Sequence, residues 1–257
     1  MILLIDFEST GVDTKTARVT EIGAMLVDES FTPTGEVLSQ LVYDESYPPI
    51  TPEVEAITGI TQHMLNEQAV EPIVAWDRLG HLIHGVQYII AFNRAYDENL
   101  YREEMSRGSY TMLPGMNQMS QVPWLCAMAD IETNYKFKSW RLMHLALEYG
   151  VIVNPKELHR AINDVELMRQ LLQASGTSVE AMLEYQRSPW VYCVAKTQAP
   201  WEDNGQSTTA AKALGFAWQQ ARGDDSGRTF EKRWVKRLKE KDLDALREKA
   251  TFEIAKL

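Results

Sequence analysis

The chain opens Met1-Ile2-Leu3-Leu4-Ile5-Asp6-Phe7-Glu8-Ser9-Thr10-Gly11. Residues 2–6 are an apolar run that stops at an acid, the pattern of a central strand buried on both faces and ending at a site. The run is short, has no basic flank and meets Asp6 at once, so it reads as a strand rather than a signal peptide. Strand side chains alternate between faces, so Asp6 and Glu8 point the same way. Two carboxylates on one face repel each other unless a cation lies between them.

The surrounding sequence builds a sheet around that strand. Residues 18–28 (RVTEIGAMLVD) and 36–43 (EVLSQLVY) are apolar and β-branched, with turn chemistry at Thr32-Pro33-Thr34-Gly35 between them. They predict two further strands joined to the first as hairpins. Prolines at 48, 49 and 52 then interrupt regular structure. Ile73, Trp76, Leu79, Leu82 and Ile83 recur at helical spacing and predict a helix over 71–85. A fourth strand over 87–92 and a helix over 97–107 follow. Next come a Met-rich loop over 108–121, a short strand over 122–128, and helices over 139–149 and 161–174. Hairpin strands followed by strands alternating with helices imply an α/β fold, a mixed β-sheet flanked by helices. Arg187-Ser188-Pro189 marks a boundary. The expected organisation is a body of 1–187 and a small C-terminal α+β module of 188–257. In the module we expect strands over 190–196, 216–220 and 229–238, and helices over 178–186, just before it, 209–214 and 241–255.

The composition of the 257 residues, 45% hydrophobic and 24% charged, excludes a disordered, collagen-like or disulfide-scaffold chain. No apolar run approaches the ~20 residues of a membrane span. Cys126 and Cys193 are far apart and form no CxxC pair, so neither a disulfide framework nor a zinc site is indicated. A cytoplasmic protein without a membrane partner is expected. The net charge of −10 is unevenly spread. Residues 188–257 hold 13 basic and 10 acidic residues, or +3, which leaves −13 for 1–187. An acidic body can still handle a polyanion if its carboxylates hold metal ions.

Two more acids complete the pattern. Asp97 follows the fourth strand at the start of a helix, and Asp164 opens the last helix of the body, five residues after His159. Singly, each acid has an ordinary reading, as a solvated strand end or a helix-start residue. Together, four acids at strand ends and helix starts, with a His beside the last, describe a two-metal phosphoryl-transfer site. Hard carboxylate oxygens suit Mg²⁺ or Mn²⁺. A His, with an ordinary pKa of ~6.5, can accept the proton of an attacking water.

The motifs resemble the DEDDh 3′→5′ exonucleases, the family that includes the proofreading subunit of bacterial DNA polymerase III. The first motif is Asp6-Phe7-Glu8-Ser9-Thr10-Gly11, the second Ala91-Phe92-Asn93-Arg94-Ala95-Tyr96-Asp97, and the third His159-Arg160-Ala161-Ile162-Asn163-Asp164. Ile50-Thr51-Pro52-Glu53 and Thr58-Gly59-Ile60-Thr61 are similar to the family's connector. Phe92 stands where the family often has His, and Asn163 where an aliphatic residue is usual. The resemblance spans roughly 1–175 and implies a ribonuclease-H-like fold. It implies that Asp6, Glu8, Asp97 and Asp164 hold two divalent metal ions, with His159 as general base. It further implies that Phe7, Thr10 and Gly11 lie against the terminal nucleotide, with Phe92 and Asn93 also at the substrate. The implied reaction releases nucleoside monophosphates from the 3′ end of a nucleic acid, here single-stranded DNA, with a replication or repair protein as a further partner. Two alternatives stay open: an exoribonuclease, and a nucleic-acid-binding or polymerase-associated subunit. Retention of all four acids and His159 favours the enzyme.

The module carries four of the seven Trp residues, at 190, 201, 218 and 234. The stretch 228–241 (RTFEKRWVKRLKEK) holds seven basic and two acidic residues. Basic residues pair with phosphates and aromatic rings stack on bases, so Lys232, Arg233, Trp234, Lys236 and Arg237 are candidate nucleic-acid contacts. A solvated helix face and a small Trp-containing core explain the same residues as well, and docking to the acidic body is a third reading. His81 and His84, an i, i+3 pair, are expected on a helix surface.

Overall fold

The computed structural model describes residues 1–131, 139, 141–154, 159–220 and 232–257. Its contacts divide the chain into two compact units, Met1–Leu183 and Glu184–Leu257.

The first unit is built on a five-stranded sheet. Strands β1 (Ile2–Ser9), β2 (Val19–Val27) and β3 (Pro33–Leu41) pair antiparallel, while β4 (Tyr88–Ala91) and β5 (Trp124–Cys126) extend the sheet in parallel with β1, in the order β3-β2-β1-β4-β5. β1 runs three residues past the apolar stretch, because alternation takes over there. Phe7 and Ser9 are buried, and Asp6 and Glu8 are half-buried on the opposite face. The β2–β3 turn falls earlier than expected. The Asp28 carboxylate accepts the N–H groups of Ser30 and Thr32, both at 2.9 Å, which closes the turn over 28–32 and frees Pro33–Gly35 to enter β3.

Two short helices occupy the connector, α1 (Pro52–Thr58) and α2 (Gln62–Gln68). Each starts at a threonine whose hydroxyl accepts a backbone N–H, Thr51 from Val54 and Thr61 from Met64. Helices α3 (Pro72–Leu82), α4 (Arg94–Arg107) and the short α5 (Met116–Met119) cover one sheet face, meeting Leu3, Ile5 and Phe7. Trp76, fully buried, meets Phe7 with ring centroids 5.7 Å apart, and removing such a ring costs about 3–5 kcal/mol. Ile73, expected on the buried stripe of α3, is 50% exposed, and Ala75 takes its place inside. Helices α6 (Leu142–Glu148) and α7 (Ala161–Ser175) cover the other face, packing Leu145, Val165, Met168 and Leu172 against Ile2, Leu4 and Ile90. α7 ends at Gly176, whose φ of 65° is the left-handed cap that glycine accepts most easily, and α8 (Val179–Arg187) follows.

One glycine sets the position of α7. A Cβ on Gly23 of β2 would lie 2.3 Å from the Ala161 carbonyl carbon, so only a residue without a side chain lets the first turn of α7 rest on the sheet. Gly23 is the register partner of Asp6. This contact brings the start of α7 over the acids of β1.

The second unit is a four-stranded antiparallel sheet of β6 (Trp190–Lys196), β7 (Ala217–Gln220), β8 (Lys232–Lys239) and β9 (Glu253–Lys256), in the order β7-β8-β6-β9. Helices α9 (Gln206–Ala213) and α10 (Leu243–Lys249) accompany it, and Cys193, Phe216, Leu238, Leu246 and Ile254 form its core. The helix expected over 241–255 therefore ends at Lys249. Ile254 is buried while Glu253 is exposed, the alternation of a half-buried strand, and pairing with β6 outcompetes further helix. Trp140 of the expected helix over 139–149, and residues 229–231 of the expected strand over 229–238, lie outside the described residues. No helix among the described residues is long and apolar enough to cross a membrane.

Candidate active site

The carboxylates of Asp6, Glu8 and Asp164 each offer an oxygen within 4.8 Å of the others. Strand period supplies the first two, from the end of β1. The third comes from the first turn of α7, held down on Gly23. Asp97, in the first turn of α4, completes the set. It is buried, and one oxygen accepts the Phe7 backbone N–H at 3.2 Å. Asp97 is therefore not the helix cap, a position that falls to Asn93.

The four acids sit in each other's fields. Burial pushes every one of their pKa values upward. Asp6 rises well above the usual range, first by burial, then by the charges of Asp97, Glu8 and Asp164. Glu8 is pushed up to about 8 by burial and then by Asp164, Glu21 and Asp97. Asp97 is pushed up to about 7 by burial, against the pull of the Phe7 hydrogen bond. Such a site resists carrying its full negative charge without a counter-charge. The donor set, all hard carboxylate oxygens at close range, fits a divalent cation such as Mg²⁺ or Mn²⁺.

His159 stands exposed just before α7. Its φ of 65° places a non-glycine residue in the left-handed region, a conformation that costs on the order of 1 kcal/mol and that the surroundings must enforce. Its backbone hydrogen-bonds the Asp164 carboxylate, and its charge opposes the rise of that group's pKa.

The enforcement comes from a pair that the motifs did not single out. Glu21 of β2 is fully buried and takes two-pronged hydrogen bonds from the Arg160 guanidinium, the shortest at 2.7 Å, plus the Ala161 N–H at 3.1 Å. It is a fifth carboxylate in the field of the cluster, and it ties the residues on either side of the α7 start to the sheet. Removing Arg160 would leave the Glu21 carboxylate buried without its charged partner, which is costly. A second such pair, Glu104 with Arg18, closes the other side of β2. Glu104 is fully buried and also accepts the Val19 N–H.

The remaining candidates divide. Thr10 and Gly11 are half-buried at the end of β1, where the Thr10 hydroxyl accepts the Arg18 N–H at 2.9 Å. The Tyr96 hydroxyl donates to the Gly11 carbonyl at 2.7 Å and meets the Ser9 hydroxyl, so Tyr96 shapes this loop although only its neighbour Asp97 was expected to act. Asn93 is exposed. Phe92 is partly buried against the α7 side of the core. For Phe7, expected against the nucleotide with both backbone and ring, alternation puts the ring on the face opposite Asp6 and Glu8, packed on Trp76 in the core, while its backbone N–H donates to the Asp97 carboxylate. His81 pairs with Asp77 on the surface of α3.

The five C-terminal candidates lie on β8 of the second unit. Lys232, Arg233 and Trp234 border a cavity of about 1000 Å³. Lys236 donates to the Leu214 carbonyl, and Arg237 stacks 4.7 Å from the Trp190 ring. Those two cations are engaged within the unit, Lys236 by a carbonyl and Arg237 by a ring.

Comparison with known proteins gives the same picture. The family model for exonucleases, RNase_T, matches residues 3–172. The DNA polymerase III PolC-type proteins of Thermotoga petrophila and Thermotoga maritima are each 27% identical over 176 residues, covering 66% of this chain but only 11% of their own length. The E. coli ExoI–ssDNA complex superposes with a TM-score of 0.61 at 15% identity, over 99% of this chain and 64% of that one. The nuclease domain of 3′hExo, a DEDDh family member bound to rAMP, superposes with a TM-score of 0.50 at 17% identity, over 67% of this chain and 89% of that one. At these identities the structures speak for the fold, which is the mixed ribonuclease-H-like sheet expected above. With its acids at the ends of β1 and in the first turns of α4 and α7, the chain belongs to the RNase_T exonuclease family, in its DEDDh branch.

Proposed function

We propose that the protein is a metal-dependent 3′→5′ exonuclease that releases nucleoside monophosphates from single-stranded DNA ends. The observation that carries this reading is the close approach of Asp6, Glu8 and Asp164 oxygens, within 4.8 Å, in a member of an exonuclease family. Asp6, Glu8, Asp97 and Asp164 hold two Mg²⁺ or Mn²⁺ ions. Bound there, the ions supply positive charge to the attacking and the leaving oxygen of an in-line displacement. His159, exposed beside the cluster and next in sequence to the Arg160–Glu21 pair, takes the proton of the attacking water. Thr10, Gly11 and Asn93 face the terminal nucleotide.

The similarity to PolC-type polymerases favours a second reading, in which the chain serves a replication assembly and its binding role matters beside its chemistry. DNA and RNA oligonucleotides labelled at the 5′ or 3′ end, incubated with Mg²⁺ or EDTA, test the proposal. A descending ladder from 5′-labelled DNA, and immediate mononucleotide release from 3′-labelled DNA, both abolished by EDTA, are expected. Faster loss of RNA would reassign the substrate, and binding without any metal-dependent cleavage would favour the second reading.

A further inference from the structure

We propose that the second unit carries its own binding cleft for single-stranded nucleic acid, distinct from the carboxylate site. This deepens the nuclease reading above and rests on it for the nature of the substrate. The cleft is the cavity of about 1000 Å³ between the end of β6, the loop that follows it, and the β7–β8 strands. Its described lining includes four cations, Lys196, Lys212, Lys232 and Arg233, and no carboxylate. In a chain of net charge −10 that is a concentration of positive charge. Lys196 is committed to Glu253 at 2.5 Å. The other three have no ion pair among the described residues.

The aromatic part of the lining points to the same ligand. Trp201 is 83% exposed and Trp218 56% exposed, a large apolar area to leave in water. Trp218 packs on Trp234, its cross-strand partner, with ring centroids 5.5 Å apart, and Lys212 lies over the Trp234 ring at 5.5 Å. The inner ring is thus fixed by its neighbours, while the two outer rings keep an open face. Open indole faces beside cations that have no ion pair among the described residues suit stacked bases joined by phosphates. A duplex offers no such bases. Lys236 and Arg237, engaged within the unit, take no part.

The test uses the full chain in EDTA, so that binding is read without cleavage. The probes are a long labelled oligothymidylate and a trinucleotide, titrated by fluorescence anisotropy at two salt concentrations. Trp201→Ala removes a ring too exposed to support the fold, and Trp218→Phe keeps the packing on Trp234; unchanged thermal midpoints check both. Together they are expected to weaken the long probe by about ten- to a hundred-fold. Lys232→Glu should lower the salt slope by ~0.7. With Mg²⁺ restored, the same variants should cleave the trinucleotide at the wild-type rate. If the wild type shows Trp-dependent binding but no metal-dependent cleavage, the cleft stands and the nuclease reading falls. Unchanged affinity and salt slope in the variants overturn the cleft. So does a polyglutamate peptide that binds more tightly than the long probe at equal salt, which would assign the surface to an acidic protein.

Discussion

Replacing Glu8 by Gln removes one charge from the acid cluster while keeping the side-chain volume. The Glu8 carboxyl is pushed from 4.5 to about 8, by burial first and then by Asp164, Glu21 and Asp97. A raised pKa means that the folded state holds the proton more tightly than the unfolded chain. The unfavourable contribution is therefore absent below the unfolded value and grows as pH rises from 4.5 towards 8. At pH 7 the interval is 7 − 4.5, or 2.5 pH units, which at about 1.4 kcal/mol each gives about 3.5 kcal/mol as an upper value. Protonation of Asp6 and Asp97 shares the strain and lowers the figure. In EDTA, Glu8→Gln should thus melt above wild type by up to about 10 °C at pH 7. At pH 4 the two should nearly coincide. Divalent metal should shrink or reverse the gap, because it binds and stabilises the wild-type cluster. Thermal melts followed by circular dichroism at both pH values, with and without Mg²⁺, decide this. Equal midpoints at pH 7 in EDTA would show that Glu8 does not sit among repelling charges, and the reasoning would fail.

Asp6→Ala and Asp164→Ala should each abolish cleavage while leaving the metal-free fold as stable as wild type or more so; near-wild-type turnover with Mg²⁺ would place the site elsewhere. His159→Ala should lower turnover by roughly 10²–10⁴-fold, keep metal affinity and flatten the acidic limb of the pH–rate profile, and an unchanged profile would move the base to another group. Gly23→Ala should push α7 off the sheet, because the new Cβ would meet the Ala161 backbone at 2.3 Å. Its Mn²⁺ affinity, read by calorimetry, should drop as Asp164 moves away, and wild-type affinity would show that α7 can shift without cost to the site.

The acids were legible in the sequence because their arrangement is local or motif-borne. A two-residue period puts Asp6 and Glu8 on one face whatever the rest of the chain does, and the same rule, applied to Phe7, places its ring in the core. Glu21 and Glu104 were not legible. In sequence each reads as an ordinary charged residue, on a strand and a helix, and each becomes a buried carboxylate only when Arg160 or Arg18 arrives from far along the chain. The connector helices left a signal that was available, since Thr51-Pro52 is a cap followed by a first-turn proline. The last strand was hidden by the charged helical pattern before it, although Phe252, Glu253 and Ile254 already alternate. Which cations of β8 border the cleft depends on Leu214 and Trp190, contacts that no periodicity reveals.

The central claim is that four carboxylates from β1, α4 and α7 form a two-metal site. Anomalous diffraction from crystals soaked in Mn²⁺ with a nucleoside monophosphate tests it most directly. Two peaks ~3.5–4 Å apart are expected, with carboxylate oxygens of Asp6, Glu8, Asp97 and Asp164 about 2.1 Å from them. Crystals that still hydrolyse an oligonucleotide with Mn²⁺, yet show no peak at these residues, would contradict it.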